Sequence, residues 1–335
     1  MGAWRGEGGL SLRTRRRRRG QKSGRPGEAR STSGGPDPGG PAGGLESRGR
    51  RTRPARRGAA RKRRAGCRLP QITYCGRKEE MTEMELLIDF HVHADRQGPG
   101  SEEETRRALS LSGVSGTREE KIADIGCGTG GQTITLARNT EAHITAVDIF
   151  PEFLDRLNSR AQELGLEERI DTLQESMDSL SFADRQFDLI WSEGAVYNIG
   201  FRKGVEQWSR FLKPGGCMAL SEITWLTASR PKELEDFWNE EYPEIDTASN
   251  KIRVLEEAGF TPLGYFPLSQ AAWLENYFAP MEKRFSAFLE RHEGSEGALR
   301  LVEEQKEEIR MYRTYKDYFG YGFYIAKKLP RGMGA

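Results

Sequence analysis

Asp124-Ile125-Gly126-Cys127-Gly128-Thr129-Gly130-Gly131 follows the apolar stretch Lys121-Ile122-Ala123 and leads into Gln132-Thr133-Ile134-Thr135-Leu136-Ala137. The first stretch reads as a buried strand and the last as a helix, so the glycines occupy a strand-to-helix turn. Glycine there permits positive φ and lets a ligand approach bare backbone, while the first free N–H groups of the helix point into the crevice. Such a turn binds ligands, and strands that alternate with helices around it imply an α/β fold with a parallel sheet.

Two ligands suit the spacing. Gly126, Gly128 and Gly131 match the dinucleotide fingerprint, and Asp148 lies 17 residues after the last of them, at the end of the strand-like run Ala142–Val147. Asp124 separates the two readings. A carboxylate two residues before the first glycine would oppose a pyrophosphate, whereas S-adenosyl-L-methionine (SAM) has no phosphate and carries an ammonium and a sulfonium. SAM is the better match.

With these residues in hand, the chain resembles the class I SAM-dependent methyltransferases, from about Arg96 to Lys328. The motifs that carry the resemblance are Asp124–Gly130, Val147-Asp148, Ser176-Met177-Asp178, Phe187–Ile190 and Leu212–Gly216. The segments Trp191–Gly200 and Arg96–Ser101 look like those of a bacterial branch of small-molecule methyltransferases, similar to the ubiquinone/menaquinone-type enzymes in the core motifs only. The resemblance implies a Rossmann-like, seven-stranded, mostly parallel sheet with helices on both faces and a helical cap inserted before the last strand. It names the cofactor and leaves the acceptor open.

The overall charge of +2 over 335 residues conceals two opposite parts. Residues 1–80 hold 20 Arg and 3 Lys against 6 acidic residues, a net of +17, and residues 81–335 carry −15. The first part, with 17 Gly and 6 Pro and no apolar periodicity, is expected to be disordered. It reads as a basic RNA-binding arm, as a transit peptide, or as no natural part of the protein. Arg, Gly, Pro and Ala fill 50 of its 80 positions, and Lys78-Glu79-Glu80 is encoded almost wholly by purines, like a ribosome-binding site before Met81 or Met84. The expectation is therefore a mis-called start. The rest divides into cap helices over 81–115 and a SAM-binding domain over 116–335, with a helical insertion at about 270–319. No apolar run approaches the length of a membrane span. Four cysteines without metal-type spacing suit a reducing compartment, so a cytoplasmic protein is expected.

Along the body, strands are expected at 122–125, 144–147, 169–174, 187–192, 216–224, 261–268 and 322–328. Helices are expected at 86–96, 102–111, 152–164, 271–291 and 297–319. By resemblance, the last two belong to a cap over the acceptor.

The candidate cofactor residues are Gln97, Asp124, Gly126, Gly128, Gly130, Asp148, Ile149, Met177, Asp178 and Glu193. Asp148 would accept hydrogen bonds from two ribose hydroxyls, or else cap the helix near Pro151. Asp178 stands at the family position that receives the adenine amino group, with Met177 against the ring, and the Gln97 segment would close over the methionine end. Ser101 and Glu104 fit a capping box. Glu193, just past the fourth strand, and Tyr197 are the catalytic candidates; Glu193 would steer the acceptor, act as a base or pin the loop. Asp89-Phe90-His91-Val92-His93 resembles a first pair of metal ligands, but only His143 and His292 remain to complete a set, so no metal is expected. His91 or His93 could instead be acid/base groups of the cap. The aromatic set Trp225, Trp238, Tyr242, Trp273, Tyr277, Phe278, Tyr312, Tyr315 and Tyr321 is core by default, with a few members facing the acceptor. The expected partner is a small-molecule acceptor. The acidic body argues against nucleic acid unless the basic arm is genuine, which would make the protein an RNA methyltransferase; a SAM-binding interaction protein without catalysis is the remaining alternative.

Overall fold

A computed structural model describes residues 81–330. The readings of residues 1–80 as a disordered arm or a mis-called start lie outside the described residues. The helices are α1 Glu83–His91, α2 Glu102–Ser112, α3 Gly131–Asn139, α4 Pro151–Glu163, α5 Phe201–Ser209, α6 Lys232–Glu241, α7 Ala248–Glu257, α8 Gln270–Trp273, α9 Ala279–Arg291 and α10 Glu296–Tyr315. The strands are β1 Lys121–Ile125, β2 His143–Asp148, β3 Ile170–Gln174, β4 Phe187–Glu193, β5 Leu212–Trp225, β6 Asp246–Thr247, β7 Phe260–Pro267 and β8 Phe319–Lys328. The seven expected strands are all present, and the two-residue β6 is an addition too short for any periodicity to announce.

The sheet order is β3-β2-β1-β4-β5-β8-β7, with β6 paired to the far end of β5. The first five strands are mutually parallel, and β8 runs antiparallel between β5 and β7. Side chains alternate between the faces with a period of two. Ile122, Ile144, Leu189, Trp191, Ala219 and Phe323 enter one core beneath α1–α4 and α8–α10. Ala123, Val147, Ile190, Met218, Leu220 and Tyr324 enter the other, with α5 and α7. Because helices cover both faces, the strands read as near-continuous apolar runs.

Strand order reverses direction at the β1/β4 boundary, which opens a crevice at the carboxyl ends of these strands. The glycine turn is drawn into it by the N–H groups of Gly126 and Cys127, which donate to the Val147 carbonyl at 2.8 and 2.9 Å.

Helix α1 differs from its expected span of 86–96. Thr82 and Glu85 form a capping box that starts the helix at Glu83, and it ends at His91. Residues 92–100 then run as an irregular segment toward the crevice until Ser101, whose hydroxyl accepts from the Glu104 N–H and caps α2 as expected. Helices α8 and α9 are joined by a π-helical turn, Leu274–Phe278, so 270–291 is one continuous helical run. Helix α10 stops at Tyr315, four residues short of its expected end, because Phe319 already belongs to β8.

Candidate active site

One cavity of about 870 Å³ occupies the crevice. Gly126, Gly128, Asp148, Ile149, Met177 and Asp178 line one end, and Met84, Leu87, His91, Tyr277 and Gln305 line the other. Gln97, Glu193, Tyr197 and Tyr321 also contribute to its walls.

Gly126 leaves no room for a side chain, and at Gly128 one would have to displace the Gln97 amide. A Cβ on Gly126 would stand 2.4 Å from the Ala195 Cβ, and one on Gly128 would stand 2.2 Å from Gln97 Oε1. Both have positive φ, +77° and +54°. Gly130, the N-cap of α3, lies outside the cavity wall and faces Leu157.

Asp148, at the carboxyl end of β2, accepts from the Gly128 N–H at 2.8 Å through one oxygen and from the Phe150 N–H at 3.1 Å through the other. The second bond ends on Phe150, the N-cap residue of α4, and not on the N–H groups of the helix's first turn, so the alternative role of Asp148 as a cap for that helix is not what the structure has. Burial raises its pKa despite these bonds. Met177 is anchored through its carbonyl, which accepts from the Trp208 indole at 2.8 Å. Asp178 accepts from the Ser176 hydroxyl at 2.7 Å and has Lys203 3.9 Å away.

Asp124 is absent from the cavity wall. It shares the strand face of Ile122, so its carboxylate points under α3 and accepts from the Thr133 hydroxyl at 2.6 Å and the Gln132 amide at 3.3 Å. It is fully buried, and desolvation raises its pKa to about 7. The expected confrontation of Asp124 with the ligand's charge is thus replaced by Asp148, which occupies the Gly128 N–H that a pyrophosphate would need.

Glu193 is held on three sides. Its carboxylate accepts from Arg96 at 2.5 Å, Thr105 at 2.7 Å and the Trp191 indole at 3.0 Å. Both Arg96 and Glu193 are expected at the crevice, but nothing in the sequence pairs them across the 97 positions that separate them. Tyr197 reaches the wall between the two ends, with its ring 6.1 Å from that of Tyr242, and burial raises the pKa of its hydroxyl so that it stays protonated.

The two histidines of the His-x-His pair part company. His91 is 6% exposed and lines the cavity, its Nδ1 has no partner, and desolvation lowers its pKa to about 3. His93 faces solvent. Of the nine aromatic residues singled out, only Tyr277 and Tyr321 line the cavity; Trp273 stacks on Tyr312 at 4.3 Å, and Trp225 and Trp238 pack on Phe319. Gln305 was missed. Its signal was a polar residue on the apolar stripe Leu301, Val302, Ile309, Tyr312 of α10.

Residues 122–216 match the methyltransferase domain family. Dimethylglycine N-methyltransferase of Parasynechococcus marenigrum is 35% identical over 102 residues, 30% of this chain and 36% of that protein. The 27-O-demethylrifamycin SV methyltransferase of Amycolatopsis mediterranei is 29% identical over 148 residues, 43% of this chain and 54% of that one. The chain therefore spans about a third to a half of the length of these relatives. In three dimensions, a SAM-dependent methyltransferase from Geobacter sulfurreducens, solved with S-adenosyl-L-homocysteine, superposes with a TM-score of 0.65 at 18% identity, covering 75% of this chain and 99% of that one. The segment 122–216 is a methyltransferase domain, and the chain has the class I SAM-dependent methyltransferase fold. The cofactor that goes with this domain is SAM. The cavity fits it: bare backbone at Gly126 and Gly128, a carboxylate ending β2, and a guanidinium at the turn, Arg160, that is spent on the Thr129 and Asp95 carbonyls outside the cavity wall.

Proposed function

We propose that this protein is a SAM-dependent methyltransferase acting on a small-molecule acceptor by in-line displacement. The observation that supports it most is a single cavity joining a cofactor-type end to a chamber roofed by α1, α10 and the 270–291 run. Bound there, SAM supplies an electrophilic methyl group on a sulfonium.

The chain's own residues bind, orient and exclude water. Asp148 accepts from the two ribose hydroxyls, and Ile149 and Met177 flank the adenine ring, whose amino group donates to Asp178. Gly126 and Gly128 offer bare backbone at the turn. Gln97 and the Arg96–Gly100 segment wall the methionine end, and the Arg96–Glu193 pair ties that segment to β4. Glu193 in this reading is a positioning residue. Tyr197 serves as a wall and a hydrogen-bond donor. The 81–115 helices and the 270–319 insertion form the cap. Catalysis then rests on placing nucleophile and methyl together in a water-poor site. Among the described residues, no helix is long and apolar enough to cross a membrane, and the two buried free cysteines suit a reducing, cytoplasmic setting.

The test pairs calorimetric titration of S-adenosyl-L-homocysteine with transfer of labelled methyl from SAM to fractionated small-molecule extract. Asp148→Ala should weaken binding by about 1–3 kcal/mol. Unchanged affinity would leave Asp148 as a tie for the Gly128 turn and withdraw the ribose assignment. Labelling of RNA instead of the small-molecule fractions would overturn the acceptor class.

A further inference from the structure

The acceptor end of the cavity is built around buried hydrogen-bond acceptors that nothing satisfies. Gln305 is 3% exposed and its Oε1 has no partner. Asn198 donates through Nδ2 to the Ala195 carbonyl at 2.9 Å, which fixes the amide and leaves its buried Oδ1 unpartnered. An unmade bond of this kind costs about 1–3 kcal/mol. A ligand bearing N–H donors recovers that cost.

The wall at the same end offers an anion little. Arg96 is committed to Glu193, Lys203 stands at the adenine end near Asp178, the imidazole of His91 is neutral, and Arg284, whose charge is felt by His91 and Tyr277, lies behind the wall and not in it. A carboxylate or phosphate would enter without a cation to touch, and burial penalises that heavily. A nucleophile that must lose a proton in the site fares little better. Glu193 is occupied by three donors, burial keeps the hydroxyls of Tyr197, Tyr277 and Tyr321 protonated, and His91 is too weak a base.

What the walls do favour is positive charge that develops during reaction. Tyr197, Tyr277 and Tyr321 present rings to the chamber, and Glu308, one turn beyond Gln305 on α10, acts electrostatically on all three. Ring faces and a carboxylate stabilise a nitrogen that becomes cationic as it is methylated.

We infer that the acceptor is a partly apolar small molecule whose reacting atom is an uncharged primary or secondary amine nitrogen, received by Gln305 and Asn198 between the tyrosine rings. The inference rests on the methyltransferase reading and adds the substrate class to it. The nitrogen lone pair forms a bond to the methyl carbon while the carbon–sulfur bond breaks and its electron pair stays on sulfur. The resulting ammonium then releases one proton to solvent, so no base is required beforehand.

The experiment uses the full-length protein saturated with S-adenosyl-L-homocysteine. Benzylamine, 2-phenylethylamine and cyclohexylamine are each titrated against the matched alcohol and carboxylate, near the amine's own pKa, and methylation from SAM is read by mass spectrometry. At least one amine should bind about tenfold more tightly than both of its matched partners and acquire one methyl group. Gln305→Leu should erase that preference while leaving affinity for S-adenosyl-L-homocysteine unchanged. Absence of any amine preference, whatever the alcohols and acids do, overturns the inference. So does an amine preference that survives Gln305→Leu with cofactor binding intact. Failure to bind S-adenosyl-L-homocysteine at all would strike the methyltransferase reading itself, and the two failures are told apart by that first titration.

Discussion

At Glu193 a carboxylate beside the expected methyl-transfer point is shared among a guanidinium, a hydroxyl and an indole N–H, and only 5% of its side chain is exposed. A base needs a free lone pair aimed at substrate; a tie needs partners on separate elements, and Arg96 before α2, Thr105 within it and Trp191 on β4 supply them. Glu193→Gln should strand the mostly buried Arg96 without a counter-ion, lowering stability by about 3 kcal/mol and cofactor affinity with it. Chemical denaturation and calorimetry on the same variant decide this; normal stability and binding with lost turnover would restore the base role. Asp124 makes a separate prediction about pH. Its folded pKa of about 7 exceeds the value of about 4 in an unfolded chain, so the folded state holds the proton more tightly. The stability this contributes is complete below about pH 4 and is lost as pH rises through about 7. Asp124→Asn has no such titration, so the fall in urea midpoint from about pH 5 to about pH 8 should shrink in the variant. An equal fall in both proteins would place the titration elsewhere.

Among the elements, the β1–α3 turn is the least tolerant of change. Gly130 has φ +84°, and a Cβ there would sit 2.2 Å from Leu157 Cδ1, inside the buried face of α4. Gly130→Ala should cost about 3 kcal/mol by combining left-handed strain with displaced packing, and thermal unfolding would show it. A shift of less than a degree would mean that α4 moves aside freely. The strands and the long helices were legible because each carries its own pattern: buried apolar runs for the sheet, apolar spacing for α4, a hydroxyl cap for α2. What escaped reading depends on partners far along the chain. Nothing local marks Arg96 as the partner of Glu193, and the orientation of Asp124 follows from the parity of β1, not from its distance to the glycines. The aromatic residues were equally opaque, since Tyr277 and Trp273 lie four positions apart in one helical run and only the packing of α10 decides which meets the cavity.

For the molecule as a whole, the cavity walls among the described residues run from Met84 to Tyr321. A chain begun at Met81 should therefore fold and bind S-adenosyl-L-homocysteine within about twofold of the full chain; a tenfold loss, with a folded circular dichroism spectrum, would give residues 1–80 a part in binding. The sheet's order has a further consequence, for the timing of synthesis. Of the described strands, β8 follows all the others in the chain and leaves the ribosome after them, yet it takes an interior place between β5 and β7. Until it emerges, β5 has an open edge along Cys217–Trp225 and β7 has no neighbour at all. Pairs such as Thr224 and Tyr324 close a span of 100 residues, a slow step that local structure cannot hasten. The nascent protein must carry a sheet that stops at a bare β5 with β7 not yet attached, and for that interval it depends on whatever shields a bare strand edge from its neighbours on the same messenger.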